Sequence, residues 1–190
     1  VDPGNEKYNH KNTPRLVSGL TPEATKKAAE FYRSFTETVI EVSSPEVAET
    51  AKLLENTFRQ VNIALVNEVA IISRALGIDV REVIEAANSK PYGFMKFTPG
   101  AGVGGHCIPV DPSYFSWRAK QVGAQARFID LANEVNDQMP KYVSDRLLKL
   151  IGKPATGLKL LICGVAYKPG LGDVRETPVA ELRDYLMSQG

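Results

Sequence analysis

The 190-residue chain is poor in the residues that build several kinds of site. It holds two histidines and two cysteines, Cys107 and Cys163, which lie far apart. That set cannot supply the ligands of a zinc centre, so no metal is expected. Two cysteines also exclude a disulfide-rich secreted scaffold, and the cytosol is the expected compartment. No apolar run is long enough to span a membrane, and the first residues show no secretory leader. Charge of one sign is missing as well: 23 Lys and Arg against 22 Asp and Glu leave a net +1. Nothing in that balance points to nucleic acid as a partner. The apolar content is ordinary at 43 %, which suits one large or two small globular domains.

Against this background one stretch stands out, Thr98-Pro-Gly-Ala-Gly-Val-Gly-Gly-His-Cys-Ile-Pro-Val-Asp-Pro112. Its glycines permit turns closed to residues with a Cβ, and close approach of the backbone to a ligand. Asp111-Pro112 reads as N-cap and first position of a helix. Cys107 is therefore expected in a tight loop before a helix N-terminus, where partial positive charge favours a thiolate. The alternative at this point is a small buried cysteine in a Gly-rich turn. Gly100 to Gly105 also fits G-x-G-x-x-G, but that fingerprint needs a strand before it and a helix opening at its last glycine. Lys96-Phe-Thr-Pro99 and His106-Cys-Ile-Pro109 supply neither, so a dinucleotide fingerprint is rejected here.

The chain before this loop opens with a polar, turn-rich segment to Pro14, starts without an initiator Met and reads as mid-loop. Residues 15–19 and 38–43 read as short strands around a helix from Thr21-Pro22 to about Phe35. Strand, helix, strand is a βαβ unit and thus part of a parallel sheet. Two strands are too few for a stable sheet, so the remaining strands are expected upstream of Val1.

Ser44-Pro45 starts a helix predicted to reach about Leu76 before Gly77, ~45 Å long. Val47, Ala51, Leu54, Phe58, Val61, Leu65, Val69, Ile72 and Leu76 form one apolar stripe along it. Few domains this small cover such a stripe alone, so a partner helix, in a homodimer, is expected. Lys52, Asn56 and Arg59 make a second, polar stripe, which is either a solvated face or one that looks into the cysteine loop. Asp79-Val-Arg-Glu82 is a capping box for a helix to about Asn88. The aromatic and basic loop Lys90 to Pro99 suits a sugar or base with a phosphate nearby, or is ordinary packing.

Helices are predicted from Asp111 to about Val122 and from about Ala124 to Ile151, the second with Pro140 inside it. After a linker at 152–157, Leu158 to Gly164 reads as a buried strand containing Cys163. A polar loop with Lys168, Asp173 and Arg175 follows, and Thr177-Pro178 starts a final helix. Strand, loop, helix is the first unit of another α/β domain, and its two cations either stay solvated or meet an anionic ligand at the strand end.

Three motifs carry a resemblance to a known family: Glu49-Thr-Ala-Lys52-Leu-Leu-Glu-Asn56-Thr-Phe-Arg59, Gly104-Gly-His-Cys107-Ile-Pro-Val-Asp111-Pro112, and Gly164-Val-Ala-Tyr-Lys168 through Asp173-Val-Arg-Glu-Thr-Pro178. In this order, and over nearly the whole chain, they resemble the nucleotide-sugar 6-dehydrogenases. The resemblance implies a mainly α central dimerisation domain on the long helix, at 44–152, flanked by partial Rossmann-like α/β domains. Residues 1–43 would be the end of the NAD-binding domain, and 153–190 the start of a UDP-sugar-binding domain. It also implies a reaction: oxidation of a C6 alcohol to the acid with two NAD⁺. Cys107 would add to the C6 aldehyde, and hydride transfer from the thiohemiacetal would give a thioester that water hydrolyses. Lys52 and Asn56 would support charge on the C6 oxygen, and Asp111 would position or activate water.

By the same resemblance, Arg59, Phe94, Lys96, Gly104, Tyr167 and Lys168 would contact the UDP-sugar, and Arg175 the cofactor side. His106, the Ile-Pro-Val-Asp-Pro tail and the Lys90 loop resemble the UDP-N-acetylhexosamine branch more than the UDP-glucose branch, with UDP-N-acetylglucosamine ahead of UDP-N-acetylmannosamine. The NAD fingerprint and an upstream acidic residue of the family are absent, so these residues alone are expected to be inactive. Two other classes compete with this reading. A cysteine hydrolase using His106 and Cys107 is disfavoured because adjacent residues seldom form such a pair. A purely structural dimerisation module would dimerise without affinity for UDP-sugar.

Overall fold

The computed structural model describes residues 5–190, and the chain divides into two compact units, residues 1–55 and 56–190. In the first, β1 (Arg15–Val17) and β2 (Val39–Glu41) pair in parallel, Leu16 opposite Ile40, with α1 (Pro22–Arg33) as the crossover. Thr21 caps α1 by accepting from the Ala24 N–H at 3.2 Å, and Pro22 occupies its first turn, as the sequence predicts. Val17 and Ala29 are buried between helix and sheet, and the Thr36 hydroxyl donates to the His10 carbonyl at 3.0 Å.

The long helix forms as expected: α2 runs Pro45–Ala75 and Gly77 turns the chain away at φ +74°. In the second unit it is followed by α3 (Val80–Asn88), α4 (Asp111–Gln121), α5 (Arg127–Ile151) and α6 (Pro178–Ser188). Asp79 caps α3 by accepting from the Arg81 N–H at 2.9 Å, and Thr177 caps α6. Gly152 closes α5 in the left-handed region at φ +65°. α5 packs against α4 and α6.

The face by which α2 joins this unit is polar. Asn56, Gln60 and Asn67 are at most 1 % exposed, as is Ser144 of α5, and Asn136 of α5 is 4 % exposed. Gln60, Asn67 and Asn136 are linked across the helix pair, together with Asn133 and the Gln60 backbone carbonyl, while the Gln60 side-chain oxygen stays buried without a partner. The Gln60 amide donates to Asn133, the Asn136 amide reaches the Gln60 carbonyl at 3.4 Å, and the Asn67 amide donates to Asn136 at 3.0 Å. Buried amides are tolerable only when so paired, since each orphaned group costs ~1–3 kcal/mol. Ala64, Val66, Ile129, Ala132 and Met139 fill the space around this ladder. The apolar stripe of α2 is left outside: Leu65, Ile72 and Leu76 are 53, 51 and 69 % exposed.

Two expectations are corrected. Leu158–Gly164 forms no strand and Cys163 is exposed, because no strand among the described residues pairs with this run. A strand's backbone groups need such a partner. The second concerns Asp111, which is the first residue of α4 and not its cap. Val110 holds the cap position, without a side-chain cap bond, so the Asp111 carboxylate is turned to other use.

Candidate functional site

Asn56 and Arg59 lie on the α2 face turned toward the unit's interior, one turn apart. The Asn56 amide nitrogen donates to the Asp111 carboxylate at 2.5 Å, and the Arg59 guanidinium donates to the Asn56 side-chain oxygen. With both ends engaged, the amide of the fully buried Asn56 has one orientation, and its N–H fixes the carboxylate. The polar stripe is thus an internal face at Asn56 and not a solvated one. Lys52 lies one turn earlier on α2, in the first unit, and pairs with Glu55 at 3.4 Å.

Cys107 is bound to the same carboxylate's backbone. Its carbonyl accepts from the Asp111 N–H at 2.8 Å and from the Val110 N–H at 3.3 Å, one tight turn ahead of α4. The thiol is exposed and outside any disulfide. A thiol so exposed does not serve as a core-packing side chain.

The glycines ahead of it are there for contact. Pro140 lacks an N–H, so the carbonyl of Asn136, four residues earlier in α5, loses its helical donor. Gly102 covers that carbonyl: a Cβ at Gly102 would lie 3.3 Å from the Asn136 oxygen and 3.1 Å from Pro178 Cβ. At Gly104 a Cβ would meet Tyr167 Cβ at 2.7 Å and the Glu176 carbonyl at 2.9 Å, and at Gly105 (φ +92°) it would strike the Tyr167 ring at 2.8 Å. The Gly105 N–H also donates to the Arg175 carbonyl at 3.1 Å, and the Gly100 N–H to the Asn67 side chain at 2.9 Å. The glycine loop is thereby pressed against the segment Tyr167–Pro178, which joins the second and third sequence motifs.

Arg175 is clamped by Asp173: the guanidinium donates to both carboxylate oxygens, at 2.5 and 3.0 Å. That bond, with the Arg175 N–H on the same carboxylate, pulls Asp173 down to about 2 and raises Arg175. Tyr167 and Cys107 lie within electrostatic range of the guanidinium, and His106 within range of Asp173. A fixed positive charge therefore stands near the thiol. Lys168 is half-buried beside Tyr167.

The loop 90–99 lies against α2 through Phe97, whose ring packs edge-on against Phe58 at 6.0 Å. Phe94 is 40 % exposed and the Lys96 ammonium is bonded to Glu85 of α3. The polar ladder of Gln60, Asn67, Asn133 and Asn136 was not among the expected site residues. Its signal was present as amides on one helix face, at 56, 60 and 67 and again at 133 and 136. No group of His, Cys, Asp and Glu among the described residues could hold a metal. No helix among the described residues is long and apolar enough to cross a membrane.

The dinucleotide of the resembled family finds no cradle here. The Gly100–Gly105 run does not join a strand to a helix, and Pro178, Tyr167 and Glu176 fill the space its glycines open.

Comparison with known proteins places this geometry. Residues 46–138 match the family described as UDP-glucose/GDP-mannose dehydrogenase family, central domain. The chain is 38 % identical to the UDP-N-acetyl-D-glucosamine 6-dehydrogenase of Pseudomonas aeruginosa, over 96 % of this chain and 44 % of that protein. It is 40 % identical to the UDP-N-acetyl-D-mannosamine dehydrogenase of Escherichia coli K12, over 90 % of this chain and 42 % of that one. A solved UDP-D-ManNAc dehydrogenase from Pyrococcus horikoshii superposes with a TM-score of 0.86 at 33 % identity, covering 95 % of this chain and 43 % of that structure. The chain thus spans less than half the length of these relatives. By these matches the chain belongs to the UDP-glucose/GDP-mannose dehydrogenase family and carries its central domain over residues 46–138.

Proposed function

We propose that the chain is the cysteine-bearing part of an NAD-dependent UDP-N-acetylhexosamine 6-dehydrogenase, with UDP-N-acetylglucosamine as the favoured substrate. The observation that carries this is the Asn56–Asp111–Cys107 arrangement: a carboxylate held by a buried amide, bonded through its backbone N–H to the carbonyl of an exposed cysteine. In an acyl-forming reaction the thiol adds to the C6 aldehyde of the sugar. After oxidation, the Asp111 carboxylate accepts a proton from the water that attacks the thioester. The Asn56 amide keeps Asp111 aimed, and Lys52 supports charge on the C6 oxygen. Arg175 sets a positive charge near the sulfur and would contact the cofactor. Arg59, Phe94, Lys96, Gly104, Tyr167 and Lys168 are assigned to the UDP-sugar. NAD supplies the hydride acceptor and is not held by the glycine loop of this chain.

The domain reading follows the same lines: residues 1–43 end a nucleotide-binding unit, 44–152 are the central domain and 153–190 begin the next. The proposal includes a homodimer through the outer stripe of α2. The inner face of that helix is occupied by the amide ladder, and Leu65, Ile72 and Leu76 remain half or more exposed in a row along the helix. A second copy of the same stripe, related by a two-fold axis, is the self-complementary cover.

An intact polypeptide carrying these residues should reduce NAD⁺ with UDP-N-acetylglucosamine or UDP-N-acetylmannosamine and release the uronic acid. Cys107→Ser should abolish acid formation while leaving the fold unchanged, because a serine hydroxyl is far less nucleophilic at neutral pH. Wild-type rates of acid release by that variant would remove the covalent mechanism. Turnover of UDP-glucose alone would keep the mechanism and overturn the substrate assignment.

A further inference from the structure

The second unit contains a cavity of about 870 Å³ between the C-terminal turns of α2, α3, the stretch Thr98–Ala101 and the middle of α5. It is not the cysteine centre. Arg74 lines it, and Arg74 follows Asn56 by 18 residues on one helix, ~27 Å at 1.5 Å per residue. Its volume lies in the range that encloses a ligand of nucleotide or drug size.

The charges around it are unbalanced. Arg74, Arg81 and Arg146 reach it from three different helices, and Lys96 from the loop. Lys96 is neutralised by Glu85, and the Asp79 carboxylate is occupied with the α3 N-terminus, accepting from the Arg81 N–H. No ion pair among the described residues engages any of the three guanidiniums. The floor is apolar: Ile84 and Met139 are 5 and 2 % exposed and line it together with Val143 and Tyr142. Three planar, permanently charged forks over an apolar floor suit a ligand with an apolar body and a multiply charged phosphate end.

We infer that this cavity is a second ligand site, for a phosphorylated small molecule carrying two or more negative charges, held by Arg74, Arg81 and Arg146. The inference does not rest on the reaction proposed above: it uses neither Cys107 nor Asp111, and Lys96, which is assigned there to the UDP-sugar, only borders this cavity and is not among the three arginines. It also gives the loop 96–101 a second role: its far side forms this cavity's wall while its continuation leads to Cys107.

Inorganic pyrophosphate is the probe, titrated calorimetrically into the 190-residue chain at low salt. Saturable binding at one site per chain is expected, weakening as salt rises. Arg74→Gln and Arg146→Gln keep a polar side chain and remove charge at exposed positions, so both should fold as wild type by circular dichroism. Each should weaken pyrophosphate at least tenfold, whereas Cys107→Ser should bind it unchanged. Unaltered affinity in both arginine variants, or no saturable binding by the wild-type chain, would overturn the inference. If the variants misfold, protection of the arginines in the wild-type chain from phenylglyoxal by pyrophosphate decides instead. Arg74, Arg81 and Arg146 should be shielded, and equal labelling with and without pyrophosphate counts against the site.

Discussion

Asp111→Asn separates a structural role from a chemical one. The carboxylate makes no cap bond to α4, so at the helix end the change loses only the interaction of a first-turn charge with the helix dipole, ~0.3–1 kcal/mol. Its side-chain partner is the Asn56 amide at 2.5 Å, in a position where Asn56 is wholly buried. A hydrogen bond to a charged group is worth ~1.5–3 kcal/mol and a neutral one ~0.5–1.5 kcal/mol. An Asn at 111 can present its carbonyl oxygen to the same donor, so the loss in stability at this bond is about 1 kcal/mol. Loss of a general base costs roughly 10²–10⁴ in rate, equivalent to ~2.7–5.4 kcal/mol in the barrier. The two effects are far enough apart to be told by magnitude. In an intact polypeptide given UDP-N-acetylhexosamine and NAD⁺, the variant should unfold within a few degrees of wild type and release acid at least a hundredfold more slowly. Mass spectrometry should find the sugar bound covalently to Cys107, since thioester formation does not need the carboxylate. An unchanged steady-state rate with no adduct would refute the role given to Asp111.

Leu65→Glu places a charge in the middle of the exposed α2 stripe, where Leu65 is 53 % exposed; burying the rest of a leucine is worth about 1 kcal/mol per protomer, so sedimentation should show wild type as a dimer and the variant as a monomer. Gly105→Ala forces a Cβ 2.8 Å from the Tyr167 ring at a φ of +92°, and the backbone conformation alone costs ~1–2 kcal/mol. Thermal unfolding should fall by several degrees, and limited proteolysis should cut first in the segment 165–177. The Asp173–Arg175 clamp predicts a pH effect of definite sign. Asp173 titrates at about 2 when folded, below the ordinary 3.8, so the clamp's contribution is complete above about pH 4 and is lost as pH falls toward 2. Following the Asp173 carboxyl by NMR should show its midpoint near the lower value, and Arg175→Gln should raise it toward the ordinary one, short of it because the backbone N–H of residue 175 still donates to the carboxylate.

Local chemistry made much of the fold legible. Thr21-Pro22, Asp79 and Thr177-Pro178 start helices in the structure because capping needs only a side-chain oxygen and the next few N–H groups. The βαβ unit and the span of α2 followed from spacing alone. The run 158–164 failed because strand pattern declares a preference, while a strand requires neighbours that the described chain does not provide. Asp111 failed as a cap because Asp-Pro is compatible with two adjacent helix positions, and the competing amide at Asn56, 55 residues away, is invisible locally.

By itself the sequence determined the order of helices, the place of Cys107 in a tight loop just before a helix and the presence of an apolar stripe too long for this chain to cover. These depend on residues within a few turns of one another. Only the tertiary structure decided which face of α2 is internal. The apolar stripe could have been the core, but the amide nitrogens of Gln60 and Asn67 find partners in Asn133 and Asn136 of α5, which offsets most of the cost of burying them. The tertiary structure also decided why the loop before Cys107 is made of glycine. Tyr167, Glu176 and Pro178 approach it more closely than any Cβ allows, and they stand some 60 to 75 residues further along the chain, beyond the reach of any local rule.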